Sequence, residues 1–295
     1  MRSKRIVAIA LSLIVLFIIS MHPSAMATEN DVVVQTEEEL LVAVENHVSF
    51  VIIDGYIPLS QSIELRHHLT MHGQGVISVS DHHRHFEIWD RSQLVIDGDI
   101  TLTRAEGYEG LGGGIRVVNG TLMMKSGYIY NNEMIRGGGI LITQGQVYMY
   151  GGTIKQNRAD IGGGVYIGGW DAWDVIMFDF SSMLTMRGGE ITNNVAAFTG
   201  GGLYSTIGII YLEHGVIANN RASGSGGVFI SDVSQYYISS EMRFEGNYPI
   251  NRHDIESSFP LVEFLLTPTA FHIVALFAII GIGVLWARVR KSGYE

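Results

Sequence analysis

A short glycine motif recurs along the chain at an almost constant spacing. Three glycines followed by an aliphatic residue begin at positions 112, 137, 162 and 200, and an imperfect copy begins at Ser225, so the intervals are 25, 25, 38 and 25 residues. Each full copy also carries an isoleucine with an asparagine three residues after it, and these asparagines are Asn132, Asn157, Asn194 and Asn220. A fixed period of this length indicates a repeat protein whose neighbouring repeats stack to form the core.

The residues between these markers alternate between apolar and polar. Ile140 and Ile142 follow one triplet, and Val147 and Met149 continue the same period of two. This alternation is typical of short strands with one buried face, and about three such strands fit in each repeat. We therefore predict an all-β chain folded as a parallel β-helix, a solenoid in which each coil lies about 4.8 Å above the last. The triplets are expected at tight corners, and the asparagines are expected to stack into a structural ladder.

These motifs resemble a known family. The pattern GGGI followed by SG-x-I-x-N-N is similar to the repeats of right-handed parallel β-helix surface proteins in the pectin-lyase-like superfamily. Residues 137–140 and 244–247 also approximate the GGAI and FxxN signatures of polymorphic outer-membrane protein repeats, which are adhesin-like. The resemblance covers residues 34–247 and implies a right-handed β-helix displayed on a bacterial cell surface.

The N-terminal residues have the composition of an export signal. Arg2, Lys4 and Arg5 precede the apolar run 6–19, and residues 25–27 read Ala-Met-Ala, so we interpret 1–27 as a cleaved signal peptide. The alternative is an uncleaved anchor. Residues 28–48 are predicted to cap the solenoid, because Thr36 and Glu39 form a capping-box pattern at the start of a short amphipathic helix. The β-helix itself is predicted over 49–247.

The C-terminal residues have the composition of a membrane span. Residues 269–287 contain no Asp, Glu, Lys or Arg, and Arg288, Arg290 and Lys291 follow directly. We predict a linker at 248–268, a transmembrane helix at 269–287 and a cytoplasmic tail at 288–295, with the β-helix outside the cell. A buried core helix is the alternative interpretation of the apolar run.

Composition excludes several classes of function. The chain has no cysteine, which excludes a disulfide framework and a Cys-zinc site. Lys and Arg number 19 against 29 Asp and Glu, a net charge of −10, which argues against a nucleic-acid partner. We expect no cofactor.

Six of the 11 histidines are clustered in the early part of the chain: His67, His68, His72, His82, His83 and His85. Clustered imidazoles can bind a transition metal. Alternation instead predicts that His68, His72 and His85 point to solvent when Leu69 and Phe86 point inward. We favour this second interpretation and predict no metal site.

A glycine-poor insertion of 12 residues interrupts the third repeat between positions 168 and 182. It carries two tryptophans, each followed by an aspartate, and the residues predicted to bind ligand are Trp170, Asp171, Trp173, Asp174 and Asp179. Aromatic rings stack on sugar faces and carboxylates accept hydrogen bonds from hydroxyls, so the pattern suits carbohydrate. The alternative is a loop whose aromatic rings pack back onto the coil.

Catalysis is the less favoured hypothesis. Enzymes of the resembled superfamily cleave acidic polysaccharides with clustered aspartates, whereas Asp160 corresponds to Ile135 and Phe198 in neighbouring repeats. We therefore expect a membrane-anchored cell-surface protein with no catalytic residues, which adheres to a glycan or a host ligand. A polysaccharide lyase or glycoside hydrolase using Asp171 and Asp174 is the alternative. A purely structural module is the third possibility.

Overall fold

The structure is a computed structural model that describes residues 32–169 and 181–252. All of these residues except Val32 belong to one compact unit. The predicted signal peptide, transmembrane helix and cytoplasmic tail, and most of the predicted linker, lie outside the described residues.

The described residues form one helix and 23 strands. They are β1 (Val32–Val34), α1 (Glu37–Glu45), β2 (Phe50–Leu59), β3 (Ile63–Leu65), β4 (Leu69–Val79), β5 (Phe86–Ile88), β6 (Gln93–Ile96), β7 (Asp99–Arg104), β8 (Ile115–Val118), β9 (Thr121–Met124), β10 (Tyr128–Tyr130), β11 (Glu133–Arg136), β12 (Ile140–Thr143), β13 (Gln146–Met149), β14 (Thr153–Lys155), β15 (Arg158–Ile161), β16 (Val165–Ile167), β17 (Met183–Thr192), β18 (Val195–Thr199), β19 (Leu203–Ser205), β20 (Ile209–Ala218), β21 (Val228–Ile230), β22 (Gln235–Ile238) and β23 (Met242–Glu245).

The strands form three parallel sheets. Sheet 2 has the order β3-β5-β8-β12-β16-β19-β21, and sheet 3 has the order β11-β15-β18. Sheet 1 contains the other 13 strands, and its long strands β4, β17 and β20 each pair with two shorter strands of a neighbouring coil. The register of β12 on β16 pairs Ile140 with Val165, one 25-residue repeat later. The predicted stack of parallel β coils is therefore confirmed, and its right-handedness stays a prediction.

The core consists of inward-facing aliphatic columns that run from coil to coil. In sheet 2 one column contains Phe86, Ile115, Ile140, Val165, Leu203 and Val228, and all six side chains are fully buried. Alternation produces these columns, because every second residue of each strand points inward. At roughly 25 cal/mol per Å² of buried apolar surface, such columns are the main stabilising contribution to a solenoid.

The glycine triplets at 137–139, 162–164 and 200–202 lie at the corners between sheets 3 and 2. Gly162 has a φ of +67°, a left-handed conformation that most side chains disfavour. Gly163 needs space instead, because a Cβ there would lie 2.5 Å from the carbonyl oxygen of Val195 in the next coil. The triplet therefore meets two separate requirements, backbone conformation and close approach between coils.

Helix α1 begins with the predicted capping box. The Glu39 backbone N–H donates to Thr36 Oγ1 at 3.2 Å, and the Thr36 N–H donates to Glu39 Oε2 at 3.0 Å. Leu40 and Ala43 are buried on the side of the helix that packs against β2. The helix thus covers apolar residues of the first coil, where an exposed strand edge would be prone to aggregation.

Regular pairing continues beyond the predicted end of the β-helix at 247. The Val228 N–H donates to the Asn251 carbonyl, and Val228 also forms a parallel bridge with Arg252. Across 32–169 and 181–252 no helix is long and apolar enough to cross a bilayer.

Candidate functional site

An aromatic stack lies on the outward face of sheet 2, and its first member precedes the insertion in sequence. The rings of Tyr166 and Tyr204 are 5.5 Å apart at their centroids, and those of Tyr204 and Phe229 are 5.0 Å apart. The stack follows from the register, which places these residues at equivalent positions in three successive coils. The guanidinium of Arg136 lies 5.7 Å from the centroid of the Tyr166 ring, and burial raises the pKa of Tyr204.

The five residues predicted to bind ligand, Trp170, Asp171, Trp173, Asp174 and Asp179, lie outside the described residues. The coil is well defined on both sides of them. Ile167 ends the strand that carries Tyr166, and on the other side the Met183 N–H donates to the Gly145 carbonyl. Ser182 Oγ also accepts a hydrogen bond from the Gln144 N–H at 2.8 Å. The insertion therefore begins directly after the strand that contributes Tyr166 to the stack.

A second aromatic cluster lies on the outward face of sheet 1. Lys155 Nζ is 4.4 Å from the ring centroid of Tyr128 and 5.6 Å from that of Tyr130. In the described part of the chain no carboxylate lies within ion-pair distance of this ammonium. Sequence analysis missed this tyrosine–lysine patch, although the alternation around Ile129 indicates that both tyrosines point outward.

The four predicted ladder asparagines are stacked and fully buried at the corner between sheets 1 and 3. In each step the backbone N–H and Nδ2 of one asparagine donate to Oδ1 of the next, at 3.0 Å for Asn132 to Asn157. The same contacts join Asn157 to Asn194 and Asn194 to Asn220. Each Nδ2 also donates to a backbone carbonyl, as Asn194 does to Ile154 at 3.0 Å. The ladder is therefore a structural element whose amides bond successive coils together.

The ladder is longer than predicted. Asn220 donates to Asn247 Oδ1, and Asn247 donates to Asn251 Oδ1 at 3.0 Å. At the opposite end, the buried Oδ1 of Asn132 accepts no hydrogen bond from the described residues. Gly113 packs directly against this oxygen, which a Cβ at Gly113 would approach to 1.9 Å.

The histidines do not form a metal site in the described residues, where no group of three or more potential ligands converges. His68 is exposed and His72 half-buried, but the expectation that His85 points to solvent is wrong. His85 is fully buried, with Nε2 2.9 Å from the Thr103 carbonyl oxygen and Nδ1 3.3 Å from that of Gly114. It precedes the first residue of β5, so the alternation within the strand does not apply to it.

Several carboxylates form ion pairs with Lys or Arg side chains of a neighbouring coil. Asp97 contacts Lys125 at 2.9 Å, and Glu213 contacts Arg187 at 3.0 Å. Asp160 faces Ile135 in the preceding coil. In the following coil it lies opposite the residues between Ala196 and Thr199, where the register shifts, and neither of these residues is acidic. Asp160 therefore has no carboxylate in register with it in the described neighbouring coils, whereas general acid and base cleavage of a glycoside uses two carboxylates.

Comparison of the chain with protein-family models, curated proteins and solved structures found no match.

Proposed function

We propose that this chain is a membrane-anchored cell-surface protein of the right-handed, pectin-lyase-like β-helix type, which binds carbohydrate without catalysis. In this proposal the β-helix is extracellular, the predicted span 269–287 anchors it, and the insertion supplies the binding residues. The pattern of glycine triplets and asparagines supports the type of fold, and the composition of the two termini supports the topology.

The aromatic stack, whose first member precedes the insertion in sequence, is the observation that carries the binding proposal. Tyr166, Tyr204 and Phe229 are ordered on a rigid parallel sheet, and Trp170 follows in sequence four residues after Tyr166. Loops on a rigid scaffold are a frequent location for binding residues. Aromatic faces pack against the C–H faces of sugars, while carboxylates accept hydrogen bonds from hydroxyls. Trp170, Asp171, Trp173, Asp174 and Asp179 provide both kinds of group.

Binding to a glycan array by the full chain tests this assignment. We expect Trp170→Ala and Trp173→Ala each to weaken binding by about tenfold or more, because a buried aromatic contact contributes on the order of 1–3 kcal/mol. Tyr211→Ala is the matched control, since Tyr211 is an exposed aromatic residue on sheet 1, away from the stack. Binding that survives both tryptophan substitutions would contradict the site assignment.

A second measurement separates binding from catalysis. We expect the chain to leave pectin, alginate and host glycans uncleaved, as judged by the release of reducing or unsaturated ends. Turnover that is lost in Asp171→Asn or Asp174→Asn would contradict the non-catalytic proposal and favour the lyase or hydrolase.

A further inference from the structure

Sheet 3 and the chain segments that extend it carry an unusual set of exposed apolar side chains. The exposed fractions are 60% for Ile135, 62% for Phe198, 68% for Tyr248 and 41% for Ile250. Isolated exposed apolar residues are ordinary, but clusters of them mark interaction surfaces. We call this surface the sheet 3 face, defined by Ile135, Arg158, Phe198, Arg221, Tyr248 and Ile250.

The register places these residues in two outward columns. Glu133 pairs with Arg158, Arg158 with Val195, Val195 with Arg221, and Arg221 with Tyr248, so these five lie in one column. The second column contains Ile135, Asp160, Phe198, Ser223 and Ile250. These residues lie two positions further along each coil, or three at Phe198, where the register shifts. At about 4.8 Å per coil, Ile135 and Phe198 are about 10 Å apart. Apolar and cationic side chains are thus interleaved on one surface.

This face is less anionic than the chain as a whole, because Arg158 and Arg221 face only Glu133 and Asp160, and Glu133 is also paired with Arg104. The chain carries −10, whereas Arg158 and Arg221 both project from the sheet 3 face. The Arg158 side chain is 63% exposed, and its contact with Glu133 is long, at 3.9 Å. Glu133 is already paired with Arg104 at 3.0 Å. Asp160 is the carboxylate that remains exposed in the second column. An anionic surface would be repelled by most of the molecule and attracted here.

We propose that the sheet 3 face docks on an anionic lipid surface. Phe198, Ile135 and Ile250 would enter the outer part of the acyl region, Tyr248 would lie at the level of the headgroups, and the arginines would contact lipid phosphates. Tyrosine suits this interface because one end of its ring is apolar and the other polar.

This inference rests on the proposed membrane anchor. Arg252 ends the described residues beside Tyr248 and Ile250, and the predicted span begins only 17 positions later, at 269. At about 3.4 Å per residue, the connection reaches at most about 60 Å. Such a tether keeps the sheet 3 face at a high effective concentration near lipid, which favours lipid over a soluble acidic protein as its partner.

The full chain can be labelled at single positions because it contains no cysteine. We would attach an environment-sensitive fluorophore at Ala197→Cys, an exposed position beside Phe198, and at Gln146→Cys, an exposed position on sheet 1. Each protein is reconstituted into vesicles of phosphatidylcholine alone or with phosphatidylglycerol, with bromine on the acyl chains as quencher. We expect quenching of the label at position 197 in anionic vesicles only, and no quenching at position 146.

Charge variants give the proposal a test that misfolding cannot imitate. Asp160→Asn removes the opposing charge and should strengthen docking about fivefold, whereas Arg158→Gln with Arg221→Gln should weaken it about thirtyfold. High salt should have the same effect as the arginine substitutions. An Asp160→Asn variant that docks no better than the parent would contradict the role given to charge.

The outcomes distinguish the docking proposal from the anchor. Equal quenching at positions 197 and 146 in floated vesicles overturns the docking proposal and leaves the anchor standing. Failure of the chain to float with vesicles overturns the anchor, and the soluble chain added to the same vesicles then tests the docking separately. If the label at position 197 is not quenched by brominated lipid but is protected from solvent on intact cells, the partner is a protein and lipid docking is overturned.

Discussion

At the scale of single residues, the most unusual group is the buried imidazole of His85. Burial lowers its pKa from about 6.5 to about 4, against the opposing effect of the carbonyl oxygens of Thr103 and Gly114. The folded chain therefore holds His85 neutral at pH 5, whereas the unfolded chain protonates it. Stability from this residue is complete above about pH 6.5 and is lost as the pH falls toward 4.

We expect His85 to reduce the free energy of unfolding by on the order of 3 kcal/mol between pH 7 and pH 4, the cost of a shift of about two and a half pKa units. Urea unfolding at several pH values measures this, and His85→Gln should show a flatter pH dependence because it cannot titrate. NMR of the imidazole gives a direct control against exposed His68. A His85 ring that titrates near pH 6.5 would contradict the prediction.

Neighbouring Arg84 is also buried, and its guanidinium donates to the carbonyl oxygens of Arg136 and Gly137 at 2.8 and 3.1 Å. Burial lowers its pKa to about 10, so it remains charged at neutral pH. The sequence did not reveal either role, because both residues lie in a corner where alternation gives no information. Their partners come from coils that are 18 to 53 residues away.

At the scale of elements, two requirements can explain a glycine at a corner: close approach between coils and a left-handed backbone conformation. Gly163 does not require a positive φ, but an added Cβ would lie 2.5 Å from the Val195 carbonyl and 2.6 Å from that of Gly201. Gly107 has the opposite properties, with a φ of +74° and no atom within 4 Å of its added Cβ. These two glycines are therefore a matched pair.

We expect Gly163→Ala to lower the free energy of unfolding by about 3 kcal/mol, because the coils must separate to admit the methyl group. Gly107→Ala should cost only about 1 kcal/mol, the penalty of a left-handed alanine. Urea unfolding followed by circular dichroism measures both. A loss at Gly163 no larger than that at Gly107 would contradict the importance given to close contact between coils.

Most elements of the stack could be predicted because their cause is local. Alternation predicts the short strands, and the Thr36–Glu39 pattern predicts the start of α1. The tyrosine–lysine patch could not be predicted, because it depends on the side-chain conformation that places Lys155 over Tyr128. The binding residues 170–179 remain a prediction, since the repeat pattern stops where the insertion begins.

At the scale of the whole molecule, the asparagine ladder joins successive coils through buried amides. Asn194 accepts from the N–H and Nδ2 of Asn157 and donates to Asn220 and to the Ile154 carbonyl. Asn251 is the last member and is exposed, so water can replace it as the acceptor for Asn247. Loss of a middle member should therefore cost more than loss of the last one.

We expect Asn194→Ala to lower the free energy of unfolding by about 3 kcal/mol and Asn251→Ala by less than about 1 kcal/mol, because only the first leaves buried donors without acceptors. Chemical denaturation with an unchanged m-value measures the difference. If both substitutions have the same small effect, the aliphatic columns alone determine how coils are coupled.

The ladder also has a direction. Asn132, Asn157, Asn194 and Asn220 each donate to an oxygen in the coil that follows in sequence, and none of these steps runs the other way. During synthesis or export from the N-terminus, the asparagine donors of each coil therefore lack their Oδ1 acceptor until the next coil has emerged. Every arriving coil completes its predecessor, and Asn251 ends the series within its own coil. The order in which the chain is delivered is therefore the order in which its buried amides are satisfied.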